Sequence, residues 1–261
     1  MLYSFSLIER HTELTNPIAR IAPVVLVTGA SRGLGQAIAI SFAKAGYRIA
    51  VNCRAATSEA KNTIDMIESA GGSAYAYQAD IRDPHMVAAM IENVVDRWGR
   101  LDVLICNAAV TEDALMVKVS SEAWDRIVGT ILNGTFHCLR SAARVMVRQG
   151  DGAIILMGSL SGLQGRSGQA PYAAAKAGLL GLMRTAAREW GPDHIRVNML
   201  LPGWHSTALT GFVGDSSPAP FETVLGHGTT MDEVAQFAVS VAQMRHISGQ
   251  VFHLDSRIAG L

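Results

Sequence analysis

Tyr172 and Lys176 stand four residues apart in the run Tyr172-Ala173-Ala174-Ala175-Lys176. In a helix that separation sets a phenol and an ammonium on one face. A phenol near its reference pKa of ~10 is a poor acid or base at neutral pH, but a neighbouring cation stabilises the phenolate and lowers that value. The spacing therefore predicts that Lys176 lowers the pKa of Tyr172. The phenol could then give a proton to a carbonyl oxygen, or take one from an alcohol, as a hydride moves. Ser159 follows the apolar run 153–157, thirteen residues before the tyrosine, and its hydroxyl can hydrogen-bond the same oxygen. A lone Y-x-x-x-K is more often a surface pair than a site. Its specificity comes from the serine and from a glycine-rich turn far upstream.

That turn reads Thr28-Gly29-Ala30-Ser31-Arg32-Gly33-Leu34-Gly35 and follows the apolar run 23–27. Glycines there let the backbone turn sharply and bring a helix N-terminus against a phosphate, where free amides and the helix dipole favour negative charge. The spacing is GxxxGxG rather than GxGxxG, so the dinucleotide-binding rule carries over by mechanism. A tight strand–helix turn without ligand is the plainer reading, weakened by the position after the first strand of a βαβ unit. At the end of a second strand a carboxylate accepts from a ribose 2′-OH, whereas a cation accommodates a 2′-phosphate. Here Asn52-Cys53-Arg54 offers no acid, and Arg32 adds a second cation. The expected cofactor is NADP(H) rather than NAD(H); Arg54 as an ordinary solvated charge is the alternative.

The elements that must position these residues follow from periodicity. Near-continuous apolar runs at 23–27, 48–53, 74–79, 102–106, 153–157, 195–200 and 250–254 suit parallel strands covered on both faces. Between them lie helical patterns with legible ends: Asp83-Pro84 as N-cap and first helical residue, Thr230 with Glu233 as a capping box. Alternating strands and helices predict an α/β chain, a single-domain Rossmann fold whose doubly wound seven-stranded parallel sheet carries helices on both faces. Residues 1–22 read as an N-terminal extension and 23–261 as the domain. Residues 208–229 form a long irregular segment of the kind that is usually functional.

Composition narrows the classes further. Twenty-two Lys and Arg balance 22 Asp and Glu, which argues against nucleic acid as the main partner. Three cysteines, Cys53, Cys106 and Cys138, make no disulfide framework and suit a reducing, cytoplasmic setting. No run approaches the ~18 apolar residues of a membrane span, and the N-terminus does not read as a signal peptide. Eight dispersed histidines lack metal-ligand spacing, so no metal is expected.

Together these residues identify a resemblance to the short-chain dehydrogenase/reductases, most like the 3-oxoacyl-acyl-carrier-protein reductases, over about 23–255. It is carried by TGASRGLG at 28–35, Asp80-Ile81, CNAAV at 106–110, Gly158-Ser159, QAPYAAAKAG at 169–178 and Pro202-Gly203-Trp204-His205-Ser206-Thr207. The resemblance implies that Tyr172 is the general acid and Ser159 polarises the carbonyl. It implies that Lys176 also holds the nicotinamide ribose, Asp80 and Ile81 the adenine, and that Asn107 lies beside the cofactor. The turn with Pro202, Gly203, His205 and Thr207 would hold the carboxamide, and the 208–229 segment would be a substrate lid. The chain also departs from the family. Ile131 replaces the asparagine that in relatives anchors a water linking the lysine to solvent. Asn133, about 200° further around an α-helix, faces elsewhere. Ser256-Arg257 replaces a Gly-Gly, and Asp193 stands near a cation of carrier-dependent relatives.

The expected function is NADPH-dependent reduction of a 3-oxoacyl thioester, carried on acyl carrier protein or coenzyme A, to the 3-hydroxyacyl thioester, as in fatty acid or related acyl-chain biosynthesis. A second reading is an NAD(P)-dependent alcohol dehydrogenase or carbonyl reductase for a small polar or cyclic substrate. A third is a weakly catalytic NADP-binding partner subunit. The resemblance further implies a homo-oligomer, tetramer or dimer, packed through about 121–149 and 171–190.

Overall fold

A computed structural model describes residues 22–55, 58–205, 207 and 223–257. The extension at 1–21 and the part of the expected lid at 208–222 lie outside the described residues.

Strand β1 (Val24–Val27) leads through the glycine turn into α1 (Gly33–Lys44), β2 (Arg48–Cys53), α2 (Ser58–Ser69), β3 (Ser73–Gln78), α3 (Pro84–Trp98) and β4 (Val103–Cys106). Then come α4 (Ser121–Val128), a π-helical segment Gly129–Asn133, α5 (Gly134–Gln149) and β5 (Gly152–Met157). The chain continues through α6 (Ser161–Gln164), α7 (Ala170–Trp190), β6 (Ile195–Leu201), α8 (Met231–Gln243) and β7 (Val251–His253). The strands form one seven-stranded sheet in the order β3-β2-β1-β4-β5-β6-β7, and every pairing is parallel. Each expected strand is present to within a residue or two.

Alternate strand residues feed two cores. Leu26, Leu104, Ile154 and Val197 pack toward the layer of α3, α5 and α7. Val25, Ile105, Ile155 and Leu200 pack toward α1 and α8. Burial on both faces is why the strands read as unbroken apolar runs rather than alternating ones. The strand order reverses direction between β1 and β4, and the turn after β1 therefore faces a crevice at the carboxyl edge. Both expected caps form. Asp83 accepts from the amides of His85 and Met86 at 2.8 and 3.3 Å, and Thr230 and Glu233 make a reciprocal capping box.

One element departs from the expected regular helix over 121–149. Its π segment sits beside α7 and carries Ile131, which is fully buried in the core while Asn133 is exposed. Single π turns inside α-helices are frequent at functional sites. Leu132 packs where a side chain on Gly178 would stand, 2.9 Å from the place of its Cβ, so the segment presses against the third turn of α7. Ile131 thus acts as packing. Ile131→Ala is expected to cost roughly 2–5 kcal/mol in chemical denaturation, with the pH dependence of turnover unchanged.

Candidate active site

A cleft of about 1060 Å³ opens at the carboxyl edge of the sheet. Its walls bring together the catalytic and cofactor-binding candidates named from sequence. The glycine turn contributes Gly29, Ser31, Arg32, Gly33, Leu34 and Gly35. The ends of β2, β3 and β4 contribute Arg54, Asp80, Ile81 and Asn107. Ser159, Tyr172 and Lys176 form the middle, and Pro202, Gly203, His205 and Thr207 the far wall.

The glycine turn is shaped by close approach. A Cβ on Gly35 would lie 2.3 Å from the Gly29 carbonyl oxygen and 2.6 Å from Asn107 Nδ2. Gly29 has φ +64°, a left-handed conformation, and faces the Ala108 backbone. No side chain caps α1, so its first amides are left for the cleft. This is a cradle for an anionic group at a helix N-terminus.

Three polar residues that the sequence reading did not single out hold the cradle. Asn52 is buried; its Oδ1 accepts from Gly29 N at 3.3 Å, and its Nδ2 donates to the Tyr77 and Ala79 carbonyls. The Thr28 hydroxyl donates to the Ile105 carbonyl and accepts from the amides of Asn107 and Ala108 at 2.9 and 3.1 Å. Thr63, buried on α2, donates toward the Ala30 and Ser31 carbonyls. Asn107 itself donates to the Thr28 and Gly29 carbonyls at 3.0 and 3.1 Å, so it clamps the turn as well as lining the cleft. Asn52 alone carried a signal, as a polar residue inside an apolar run.

The cations differ in engagement. Arg32 pairs with Glu59 at 3.0 Å, both side chains well exposed. Arg54 is exposed on the cleft, where its charge helps to hold the Asp80 carboxyl below its ordinary range; the larger cause is the Arg82 guanidinium hydrogen-bonded to that carboxyl.

Among the catalytic candidates, the Tyr172 hydroxyl hydrogen-bonds Ser159. Lys176 is buried, and its Nζ donates to the Met157 carbonyl at 2.5 Å and lies 5.6 Å from the centre of the Tyr172 ring. Gly162 permits this fit, since a Cβ there would meet the Lys176 backbone at 2.8 Å. The pKa relation is the reverse of the one expected from spacing. Tyr172 is raised above its ordinary 10, first by burial and then by the Asp113 charge, against the lowering hydrogen bond from Ser159. Lys176 has no part in that shift. Burial instead lowers the lysine itself, to about 8. Desolvation disfavours charge on both groups, and it outweighs an ammonium directed at a strand carbonyl.

Further along, His205 Nε2–H donates to the Pro202 carbonyl at 2.8 Å, and burial keeps its pKa below the ordinary value. Asp255 packs against Gly203 and forms an ion pair with Arg257, so the segment after β7 braces this turn. Met231 also lines the cleft, whereas Met183 and Met199 are core and Met116 is exposed. The three cysteines are buried and free. Burial raises the Cys106 and Cys138 thiols, the latter to about 12, so neither is a nucleophile at neutral pH. Among the described residues, no group of His, Cys, Asp and Glu is placed to hold a metal ion, and no helix is long and apolar enough to cross a membrane.

The chain belongs to the short-chain dehydrogenase family, whose model matches residues 23–217; it is an oxidoreductase acting on a C=O or CH–OH group and binding NAD(P). It is 37% identical over 235 residues, 88% of this chain and 95% of the relative, to the 3-oxoacyl-[acyl-carrier-protein] reductase FabG of Staphylococcus aureus (strain Mu50). A 3-oxoacyl-[acyl-carrier-protein] reductase of Synechocystis is 34% identical over 91% of this chain and 97% of its own. Among solved structures, a putative short-chain alcohol dehydrogenase from Sinorhizobium meliloti superposes with a TM-score of 0.81 at 33% identity, covering 90% of this chain and 95% of that one.

The lowered lysine makes a stability prediction. The unfolded chain keeps the Lys176 proton up to near 10.5, the folded chain only up to about 8. Between those values the unfolded state binds more protons, so stability rises with pH, and the penalty is full below about 8. Relative to Lys176→Met, the wild type should gain on the order of 1–3 kcal/mol from pH 7.5 to 10, read by urea denaturation.

Proposed function

We propose that this chain uses NADPH to reduce a 3-oxoacyl thioester to the 3-hydroxyacyl thioester, the acyl group riding on acyl carrier protein or coenzyme A. The observation that carries this reading is the convergence of Ser159, Tyr172 and Lys176 midway along a cleft whose other end is the glycine cradle. Likeness to 3-oxoacyl-[acyl-carrier-protein] reductases over 88% of the chain supports the substrate class.

A bound reduced nicotinamide supplies the hydride for the ketone carbon. The Tyr172 O–H gives its proton to the ketone oxygen, and Ser159 hydrogen-bonds that oxygen as negative charge develops. Burial favours the protonated phenol, which is the form a reduction consumes. Lys176 holds the nicotinamide ribose and, at the end of β5, places Tyr172 by the fit of α7. The uncapped amides of Gly33, Leu34 and Gly35 take the pyrophosphate, Arg54 and Arg32 a 2′-phosphate, Asp80 and Ile81 the adenine. Pro202, Gly203, His205 and Thr207 hold the carboxamide, His205 through its backbone.

Arg144 and Arg148, both exposed near the end of α5, offer positive charge to an acidic carrier, while Asp193 offers the opposite sign. Exposed Trp124 and Phe136 on α4 and α5 support a homo-oligomer, a tetramer or dimer, through these helices. The setting proposed is the cytoplasm. A second reading, a dehydrogenase for a small polar alcohol, is favoured by the polar rim of Glu112, Asp113 and Arg166. Turnover of such alcohols without turnover of any 3-oxoacyl thioester would decide for it.

Tyr172→Phe should lower kcat for thioester reduction by about 10²–10⁴-fold with dinucleotide binding intact, as followed by NADPH absorbance and fluorescence titration. Full activity in that variant would remove the proton-donor role. In the same titration, Arg54→Ala should weaken NADP(H) about tenfold, or ~1.4 kcal/mol, and leave NAD(H) unchanged.

A further inference from the structure

Ahead of the catalytic helix lies a set of side-chain bonds that the proposed reaction does not use. Gln169 is the residue before α7, three positions from Tyr172, and its carbonyl accepts the amide of Ala173 at 2.7 Å. Its own side chain does not cap the helix. Instead Oε1 accepts from the Ser161 hydroxyl at 3.0 Å, and Nε2 donates to both Asp113 carboxylate oxygens at 3.2 and 3.4 Å. Asp113 is steadied from the other side by the Thr111 hydroxyl at 3.1 Å. The backbones join as well: Ala114 pairs with Gln169 in an isolated parallel bridge, and its amide donates to the Gly168 carbonyl at 2.9 Å. At the far end the Ser161 amide donates to Ser159 Oγ at 3.2 Å, and Ser159 bonds the Tyr172 hydroxyl. The bonds therefore close a circuit from Asp113 through Gln169 and Ser161 to Ser159 and Tyr172.

We infer that Asp113 is a positioning residue for proton transfer, acting through Gln169 on the first turn of α7 and through Ser161 on the Ser159 hydroxyl. The inference rests on the proposed ketoreduction by Tyr172. An amide side chain cannot pass the proton along, so the circuit fixes geometry rather than relaying protons. A misplacement of about 1 Å at a reacting group can cost ~10²-fold in rate. The carboxylate also has an electrostatic part, because its charge adds to burial in keeping the phenol protonated. The other charged or titratable groups on the cleft around Tyr172 are Lys176 on the same helix, Glu112 paired with Arg126, Arg166 before α7, His205 after β6 and Arg257 paired with Asp255.

The test compares Asp113→Ala, Gln169→Ala, the double variant and Asp113→Asn in the full chain, with NADPH and a short 3-oxoacyl thioester. Each alanine variant should lower kcat about tenfold or more while NADPH affinity stays within twofold. The double variant should be no slower than the slower single one, since both remove the same circuit. Asp113→Asn keeps an acceptor for Gln169 and should restore most of kcat, but with the alkaline limb of the reduction profile moved to lower pH. Unchanged kcat in Asp113→Ala, losses that multiply in the double variant, or an unmoved limb in Asp113→Asn would each overturn the inference. Tyr172→Phe run alongside separates the two failures: if it retains full activity, the ketoreduction reading itself is at fault.

Discussion

The site depends on an ammonium held in an apolar layer. Lys176 has its charged end against the carbonyl of Met157, at the last residue of β5, and almost no water around it. That bond ties α7 to the end of β5, beside the core packing of Leu179 and Met183, and Tyr172 stands one turn earlier on the same helix. The approach is possible only because Gly162 presents no side chain to the helix, and because Gly158 lets the serine turn settle on Met199 and Leu201. A charge in such a place is costly unless paired, and here the cost appears as a lysine that releases its proton near pH 8. Its counterpart is a phenol held in its neutral, proton-bearing form.

The other half of the cleft is organised by neutral polar groups. Thr28 and Asn52 use nearly all of their hydrogen-bonding capacity, and Asn107 both of its Nδ2 hydrogens, on the backbone of the glycine turn and its neighbours. Fully satisfied buried networks of this kind rigidify the chain. The turn is thereby set before any dinucleotide arrives, which reduces the ordering that binding must bring about. The two halves meet at β1 and β4, where the sheet reverses its winding.

Much of this was legible in the amino-acid sequence, for identifiable reasons. Strands buried on both faces show as unbroken apolar runs, so all seven were found; Asp83 and Thr230 mark helix starts because capping needs those side chains. The glycine turn, Ser159, Tyr172 and Lys176 stood out by type and spacing. What spacing could not convey is where a long flexible side chain points. Lys176 reaches across to a strand instead of along its helix, and burial raises the Tyr172 phenol where the spacing predicted a lowering. The π turn at Gly129–Asn133 was hidden because an i to i+5 bond leaves no residue signature. The bridge from Asp113 to Gln169 joins segments 56 residues apart, and only the folded chain brings them together.

The burial of Cys53, Cys106 and Cys138 has a consequence of its own. The sulfur atoms of Cys106 and Cys138 are not available to an alkylating reagent until their surroundings part, so their labelling rates report local breathing without any introduced probe, whereas Cys53 lines the cleft. Cys53 ends β2 beside the cradle, while Cys106 at the end of β4 and Cys138 on α5 lie in the core between α5 and the sheet. The molecule therefore carries a native clock that times the parting of a helical layer from the sheet.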